Sequence, residues 1–212
     1  MTKRAAVYQQ HKDTDKIIES EFHVMRGCGI LMPVSSLPSR FGIGCISKEA
    51  YEFVDFLSAA GQGYWQILPV GPTGFGDSPY QPFSAFAGNP YFICFEDLIE
   101  KELLTWDDVN GRDFGKDEER VDYGAQYNNR FAVLRIAYGR FLEKHLDQEP
   151  EYTEFTKREQ FWLEDYALFM ALKELHEGRS WSDWDDEYRL RKPAALKKAK
   201  EELKDTIGFF EF

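Results

Sequence analysis

Two short apolar segments with one amphipathic stretch between them constrain the fold of this chain most strongly. Residues 30–34 and 64–68 are too short for independent helices and are interpreted as buried strands. Between them, Ser47 occupies a helix N-cap position and Gly61 a stop position. The intervening apolar residues recur at helical spacing, at Ala50, Phe53, Val54 and Leu57. This pattern predicts a βαβ unit, whose two strands run parallel.

The loops that follow these two strands are the parts of the sequence richest in Gly, Pro and hydroxyl side chains. Because parallel strands end at one edge of a sheet, residues 35–46 and 70–86 should lie on the same face, which is the active-site face of a parallel barrel. The first part of the second loop, residues 70–81, offers three hydroxyls and one carboxylate, from Thr73, Ser78, Tyr80 and Asp77. Such groups suit a polyhydroxylated ligand with apolar ring faces better than a phosphate or a nucleic acid.

Downstream of Glu96 the sequence first predicts short helices. Residues 97–104 are interpreted as one helix, and Thr105 as the N-cap of another that begins at Trp106. Residues 110–122 are polar and carry glycine, which indicates a surface loop.

Longer helices are predicted in the rest of the chain. Apolar residues mark one helix over 131–141 and another over 161–175. The latter is apolar almost all round, which predicts that it is buried. Pro193 suits a first helical turn, and one apolar stripe then continues to Phe210. This stripe predicts a single helix that the end of the sequence interrupts.

The chain is therefore interpreted as an α/β protein that holds the first strands of a (β/α)8 TIM-type barrel and a mostly helical insertion after strand two. A parallel barrel needs eight strands and about 250 residues, so we expect the barrel to be incomplete in this chain. Residues 1–25 are predicted to form a flexible N-terminal extension. Residues 26–95 are assigned to the first βαβ part of the barrel, and residues 96–212 to a helical insertion subdomain cut in mid-helix.

Composition argues against several classes of function. The net charge of −11 repels nucleic acid and anionic membranes alike. No apolar run approaches the roughly 20 residues that cross a bilayer, and residues 1–25 lack the apolar core of a signal peptide. Cys28, Cys45 and Cys94 have no paired metal spacing and fit unpaired thiols in a reducing compartment. We therefore expect a cytoplasmic protein without a metal site.

Seven segments, in order along the chain, resemble the N-terminal portion of the 4-α-glucanotransferases, also called amylomaltases or disproportionating enzymes. They are GILMPVSSLP at 29–38, FGIG at 41–44, YWQILPVGPTG at 64–74, GDSPYQ at 76–81, FSAFAGNPY at 83–91, VDYG at 121–124 and FWLEDYALF at 161–169. The resemblance implies an enzyme that transfers α-1,4-glucan segments between malto-oligosaccharides through a covalent glucosyl-enzyme, without a cofactor. It also implies a longer chain that supplies the remainder of the barrel.

By the same resemblance, Tyr80 lines the sugar site next to the scissile bond, with Ser78 and Asp77 beside it. A tyrosine ring can pack on a pyranose face while its hydroxyl bonds to a sugar oxygen. Two structural alternatives stay open: Tyr80 as an ordinary loop aromatic, and Asp77 as the cap of its own Asx-turn. Ser36, just past the first strand, is a weaker candidate. Phe75 departs from the tyrosine that the family commonly has there.

No catalytic residue is assigned within the chain. Retaining transfer needs two carboxyl groups about 5 Å apart. In the resembled family they lie in later strand-end motifs that no position here matches, so we expect these 212 residues alone to be inactive. The acidic cluster at 183–187 is interpreted as a surface turn. Two other functions stay open, a non-catalytic α-glucan-binding module and a structural fragment that binds nothing.

Overall fold

A small parallel sheet begins the computed structural model, which describes residues 27–117 and 119–212. Strand β1 (Gly29–Leu31) pairs in parallel with strand β2 (Tyr64–Gln66), and helix α1 (Lys48–Ala59) connects them. The predicted βαβ unit is therefore confirmed. The predicted extension over residues 1–25 lies outside the described residues.

Both strands are shorter than predicted, because prolines follow each of them closely. After β1 the chain passes Pro33 into a short 3-10 turn, and β2 ends ahead of Pro69. One further ladder bond extends the pairing, from the Met32 N–H to the Gln66 carbonyl at 3.0 Å. The Trp65 indole N–H also donates to the Met32 carbonyl, at 2.8 Å, so this side chain helps to hold the sheet.

Helix α1 starts and stops where the sequence predicts. Ser47 occupies the N-cap position, but its hydroxyl donates to the Glu49 carboxylate at 2.6 Å instead of accepting from a backbone N–H. Gly61 adopts a left-handed φ of 73° directly after the helix, a conformation that glycine reaches at little cost. The side chain of Phe53 packs edge-on against Trp65, with ring centroids 5.1 Å apart, and thereby fixes the helix to the sheet.

The remaining regular elements of the described chain are all helical. The helices are α2 (Phe95–Glu100), α3 (Trp106–Val109), α4 (Tyr123–Glu143), α5 (Pro150–Leu175), α6 (Asp186–Arg189), α7 (Pro193–Glu202) and α8 (Lys204–Glu211). Short 3-10 turns over Val34–Ser36, Phe75–Asp77, Pro90–Phe92, Leu146–Gln148 and Trp181–Asp183 connect parts of this framework.

The main hydrophobic core joins the loop after β1 to the helices. Phe41 of that loop is buried, and its ring lies 5.1 Å from Phe95 and 5.5 Å from Phe114. Val133 of α4 and Phe209 of α8 belong to the same cluster. Side chains from both sides of residue 95 thus share one core. The division of the chain at this residue remains a proposal.

Two helix predictions need correction. Helix α5 begins at Pro150, well before the predicted residue 161, because the polar first part of the helix carries little apolar periodicity. The helix is also not buried all round, since Phe161 is 70% and Leu175 51% exposed. The single helix predicted from Pro193 onwards is two helices, α7 and α8, which meet at Leu203.

A partly buried ion pair ties the predicted Thr105 cap to helix α4. The Asp108 carboxylate accepts from the Thr105 backbone N–H at 2.7 Å and from the Arg140 guanidinium at 2.5 and 3.1 Å. The hydrogen bond from Arg140 is the largest cause that lowers the pKa of Asp108 below its usual value. The ionised carboxylate therefore stabilises the folded state.

We expect Asp108→Asn to lower the free energy of unfolding at pH 7 by about 2 kcal/mol, since it removes a charged partner and weakens a cap. Because the pKa of Asp108 is lower in the folded state, the ionised carboxylate stabilises the fold at any pH above the unfolded-state pKa, which is near 4 for Asp. This contribution is lost as the pH falls from there through the folded-state pKa. The difference in unfolding free energy between Asp108→Asn and the parent chain, measured by denaturant unfolding, should therefore be smaller at pH 3 than at pH 7. The neighbouring exposed Asp107→Asn is the control, and a pH-independent loss for Asp108→Asn would contradict this account.

Candidate functional site

The loops after β1 and β2 leave the sheet at the same edge, as the parallel pairing requires. They are also bonded to each other, because the Ile46 N–H of the first loop donates to the Phe92 carbonyl at 3.2 Å. Phe92 lies near the end of the second loop, which in the structure continues to α2. Ser36 lies in the first loop, where it is exposed at the end of a 3-10 turn. The Ser36 backbone N–H donates to the Pro33 carbonyl at 3.0 Å. The second loop carries the other three predicted site residues.

Main-chain hydrogen bonds close the tip of the second loop. The Asp77 N–H donates to the Gly74 carbonyl and the Gly74 N–H to the Ser78 carbonyl, each at 3.2 Å. Gly74 lies so close to Gln81 that a Cβ there would meet the Gln81 carbonyl oxygen at 2.1 Å. Asp77 itself has a left-handed φ of 56°. The tip is therefore compact, and its shape comes from the backbone.

This closed tip displays Tyr80 to solvent. The Tyr80 side chain is 68% exposed, and its backbone N–H donates to the Ser78 hydroxyl at 3.3 Å. Ser78 thus holds the turn that presents the tyrosine ring. An exposed ring next to a hydroxyl and a carboxylate is the arrangement that a sugar ring can stack upon and bond to.

Asp77 faces a group of tyrosines that the sequence analysis did not assign to the site. Burial, followed by the charge of Asp77, raises the pKa of Tyr91 to about 12, and the same two causes raise the pKa of Tyr123. The Tyr91 and Tyr123 rings lie 5.8 Å apart, and Tyr127 packs against Phe131 at 5.3 Å. Helix α4 brings Tyr123 and Tyr127 to the loop from more than forty positions beyond Asp77 in sequence, whereas Tyr91 lies on the loop itself. Tyr91 and Tyr123 both fall within the family-like segments, which is the signal that could have found them.

A cleft of about 890 Å³ opens beside Asp77, between the second loop and helices α4, α5 and α8. Of the four predicted binding residues, only Asp77 lines it. Its walls are rich in aromatic side chains, among them Tyr91, Tyr127, Phe131, Phe155, Trp162 and Tyr166. A concave, aromatic surface with a few polar groups is typical of sites that bind small organic ligands.

Charged groups in the cleft walls are largely engaged with one another. Arg135 donates to both oxygens of the Glu174 carboxylate, at 2.6 and 2.7 Å. The Lys173 ammonium donates to the Gly178 carbonyl at 2.6 Å and lies 5.1 Å from the centroid of the Phe83 ring. The Arg135–Glu174 pair is neutral overall, so this part of the wall suits a neutral ligand.

Aromatic contacts fix the segment that follows Tyr80 to helix α5. Phe86 packs edge-on against Phe161 at 5.3 Å and stacks on Trp162 at 6.0 Å. Phe83 lies 6.1 Å from Phe169 on the same helix. The loop and α5 therefore form one continuous wall along the cleft.

The acidic cluster near residue 185 serves structural contacts. Asp186 pairs with Arg189 at 2.6 Å, and the Asp185 carboxylate lies 3.9 Å from the Nε2 atom of His176. Within residues 27–117 and 119–212, no group of His, Cys, Asp and Glu side chains is arranged to hold a metal ion. In the same part of the chain, no helix is both long enough and apolar enough to cross a membrane.

Comparison with known proteins finds relatives over most of the chain. A family model described as 4-alpha-glucanotransferase matches residues 32–212. The 4-alpha-glucanotransferase of Clostridium butyricum is 48% identical over 181 residues, which cover 85% of this chain and 37% of the relative. That of Thermus thermophilus is 45% identical over 188 residues, which cover 88% of this chain and 37% of the relative.

A solved structure matches the fold as well. The amylomaltase from Streptococcus agalactiae in complex with acarbose gives a TM-score of 0.83 at 40% identity and covers 88% of this chain and 38% of that one. The chain spans about 37% of the length of the two curated relatives above. Because the family model covers most of its residues, the chain belongs to the 4-alpha-glucanotransferase family.

Proposed function

We propose that this chain is the N-terminal part of a cytoplasmic 4-α-glucanotransferase, which transfers α-1,4-glucan segments between malto-oligosaccharides without metal or nucleotide. The observation that carries the proposal is the shared edge of the two loops, where Asp77 lines an aromatic cleft and Ser78 and Tyr80 follow it on the same loop. These groups suit a neutral, polyhydroxylated ligand. The solved amylomaltase of Streptococcus agalactiae holds acarbose, which supports a carbohydrate ligand for the family.

The open faces of the βαβ unit favour a structure in which the rest of a (β/α)8 barrel covers them. Leu31 and Tyr64 of the strands and Phe56 of the helix are each about 60% exposed. Both faces of a parallel sheet are usually covered. In this proposal, residues 26–95 form the first βαβ part of the barrel and residues 96–212 its helical insertion. The remaining strands come from a longer chain.

The chemistry proposed for the complete enzyme is retaining transfer. One carboxylate attacks the anomeric carbon and the bond to the leaving sugar oxygen breaks, with a proton supplied by the second carboxyl group. A hydroxyl of the acceptor glucan then attacks the anomeric carbon and displaces the enzyme carboxylate, while the second carboxylate takes up the proton of that hydroxyl. Both carboxyl groups are assigned to barrel strands outside these 212 residues. Tyr80 stacks on the sugar ring, while Ser78, Asp77 and Ser36 bond to its hydroxyls.

Transfer activity tests this assignment directly. We would join residues 26–212 to the remaining barrel of the Thermus thermophilus relative, which is 45% identical to this chain. We expect this barrel chimera to convert maltotriose into glucose and longer oligosaccharides, and the 212-residue chain to convert none. Turnover by the short chain would contradict the location of the carboxylates. A folded chimera without turnover would contradict the transferase assignment.

A non-catalytic α-glucan-binding module is the second candidate, because Tyr80 and the cleft are both formed within the described residues. Calorimetric titration of the 212-residue chain with maltoheptaose, together with the activity of the chimera, separates the binding module from the transferase. Saturable binding by the short chain together with an inactive chimera would favour the module.

A further inference from the structure

Two polar side chains on helix α4 lie at the centre of the molecule. Gln126 and Arg130 are both fully buried, and they are one helical turn apart. Arg130 is the largest fully buried side chain among the described residues. Polar residues of this kind are seldom buried completely unless they are bonded to specific partners.

Their partners are backbone carbonyls from three separate segments. The Gln126 amide nitrogen donates to the carbonyls of Phe41 and Phe114, both at 2.6 Å. Arg130 donates from Nη2 to the Ile93 carbonyl at 2.6 Å and from Nη1 to the Gln126 side-chain oxygen at 3.2 Å. The pair therefore links the loop after β1, the end of the loop after β2 and the segment before α4.

This arrangement costs stability. Burial lowers the pKa of Arg130 to about 10, which shows that the site disfavours the charge. The Nε atom has no hydrogen-bond partner among the described residues, and the guanidinium carbon lies 4.3 Å from the centroid of the Phe95 ring. Apolar residues of similar volume often replace buried charged groups without loss of stability. Stability alone therefore gives no reason for an arginine here.

Two of the three bonded carbonyls, those of Phe41 and Ile93, belong to the loops that carry the candidate site. Phe41 follows Ser36 in the first loop, and Gly44 of the same loop donates to the Ser35 carbonyl at 3.0 Å. Ile93 ends the second loop, whose base is closed by a bond from the Asn89 N–H to the Val70 carbonyl at 2.8 Å. Tyr91, which stands beside Asp77, belongs to the same base.

We propose that Gln126 and Arg130 are positioning residues, which set the two substrate loops at the spacing that glucan binding requires. The inference rests on the proposed glucan site, since it assigns a role within that site. Arg130 acts on the loops through its planar fork of donors, which a lysine cannot reproduce. Neither side chain touches the sugar.

The test compares Arg130→Lys with Arg140→Lys in the 212-residue chain. Arg140 also lies on α4 and also donates to a backbone carbonyl, that of Leu103 at 3.2 Å, but it contacts neither substrate loop. We expect Arg130→Lys to speed amide hydrogen exchange in residues 35–46 and 70–93 by about ten-fold, the effect of one lost charged hydrogen bond. Exchange in α7 should stay unchanged. Maltoheptaose should bind about ten-fold more weakly to Arg130→Lys and unchanged to Arg140→Lys.

Two results would overturn the inference. One is faster exchange throughout the chain in both variants alike, because Arg130 would then serve general stability only. The other is unchanged loop exchange in Arg130→Lys. If the parent chain itself fails to bind maltoheptaose, the proposed glucan site in this chain is wrong, and the exchange of the loops still decides whether Arg130 positions them.

Discussion

Gly42→Ala should lower the free energy of unfolding by about 3 to 5 kcal/mol, one of the largest losses that a single substitution causes. Gly42 has a left-handed φ of 70°, and a Cβ there would lie 2.0 Å from the Phe114 carbonyl oxygen and 2.8 Å from the Gln126 amide nitrogen. Neither the backbone of Phe114 nor the buried glutamine can move aside without breaking the bond between them. Denaturant unfolding followed by circular dichroism measures the loss.

Gly61→Ala is the matched control for this prediction. Gly61 has nearly the same φ, 73°, but nothing lies within 4 Å of the position that its Cβ would take. The control therefore isolates the cost of a left-handed alanine, about 1 kcal/mol. Equal losses for the two variants would show that the close approach of Gly42 to Phe114 contributes nothing.

Tyr80→Ala should weaken maltoheptaose binding by the barrel chimera about 30-fold, which corresponds to about 2 kcal/mol for a buried aromatic contact at the centre of a binding site. The ring is 68% exposed, so its removal should leave the melting temperature unchanged. Calorimetric titration and thermal unfolding of the same preparations give both quantities.

Tyr80→Phe and Trp181→Ala complete that experiment. The phenylalanine keeps the stacking surface and should retain most of the affinity, because it loses only one hydroxyl contact. Trp181 is similarly exposed, at 57%, but lies on a turn outside both loops and outside the cleft, so its removal should not alter binding. If Tyr80→Ala binds maltoheptaose as tightly as the parent chimera, Tyr80 is an ordinary loop residue.

Local patterns in the sequence were sufficient for the first elements of the fold. The N-cap position of Ser47, the stop at Gly61 and the apolar spacing between them are short-range signals, and the βαβ unit follows them. Thr105 likewise marks the start of α3. Prediction was wrong where neighbouring segments decide the outcome, as for Phe161, which packs on Phe86 and stays exposed on a helix predicted to be buried. The bend at Leu203 has no Gly or Pro that would mark it.

The candidate site could be predicted only in part, for a related physical reason. Ser78, Asp77 and Tyr80 are neighbours in sequence, so their common loop is visible in the pattern. Tyr123 comes to this loop only because α4 packs against it, through the contact between the Tyr123 and Tyr91 rings. Gln126 and Arg130 were missed because polar residues on a helix usually indicate its solvent face, whereas here they bond to carbonyls from distant segments.

The backbone closure at the loop tip has a consequence for protein engineering. Main-chain hydrogen bonds among Gly74, Asp77 and Ser78 hold the turn, and the side chain of Tyr80 takes no part in them. Position 80 can therefore be varied without a redesign of the scaffold. In the proposed glucan site, such variants would be the first to examine for altered ligand preference.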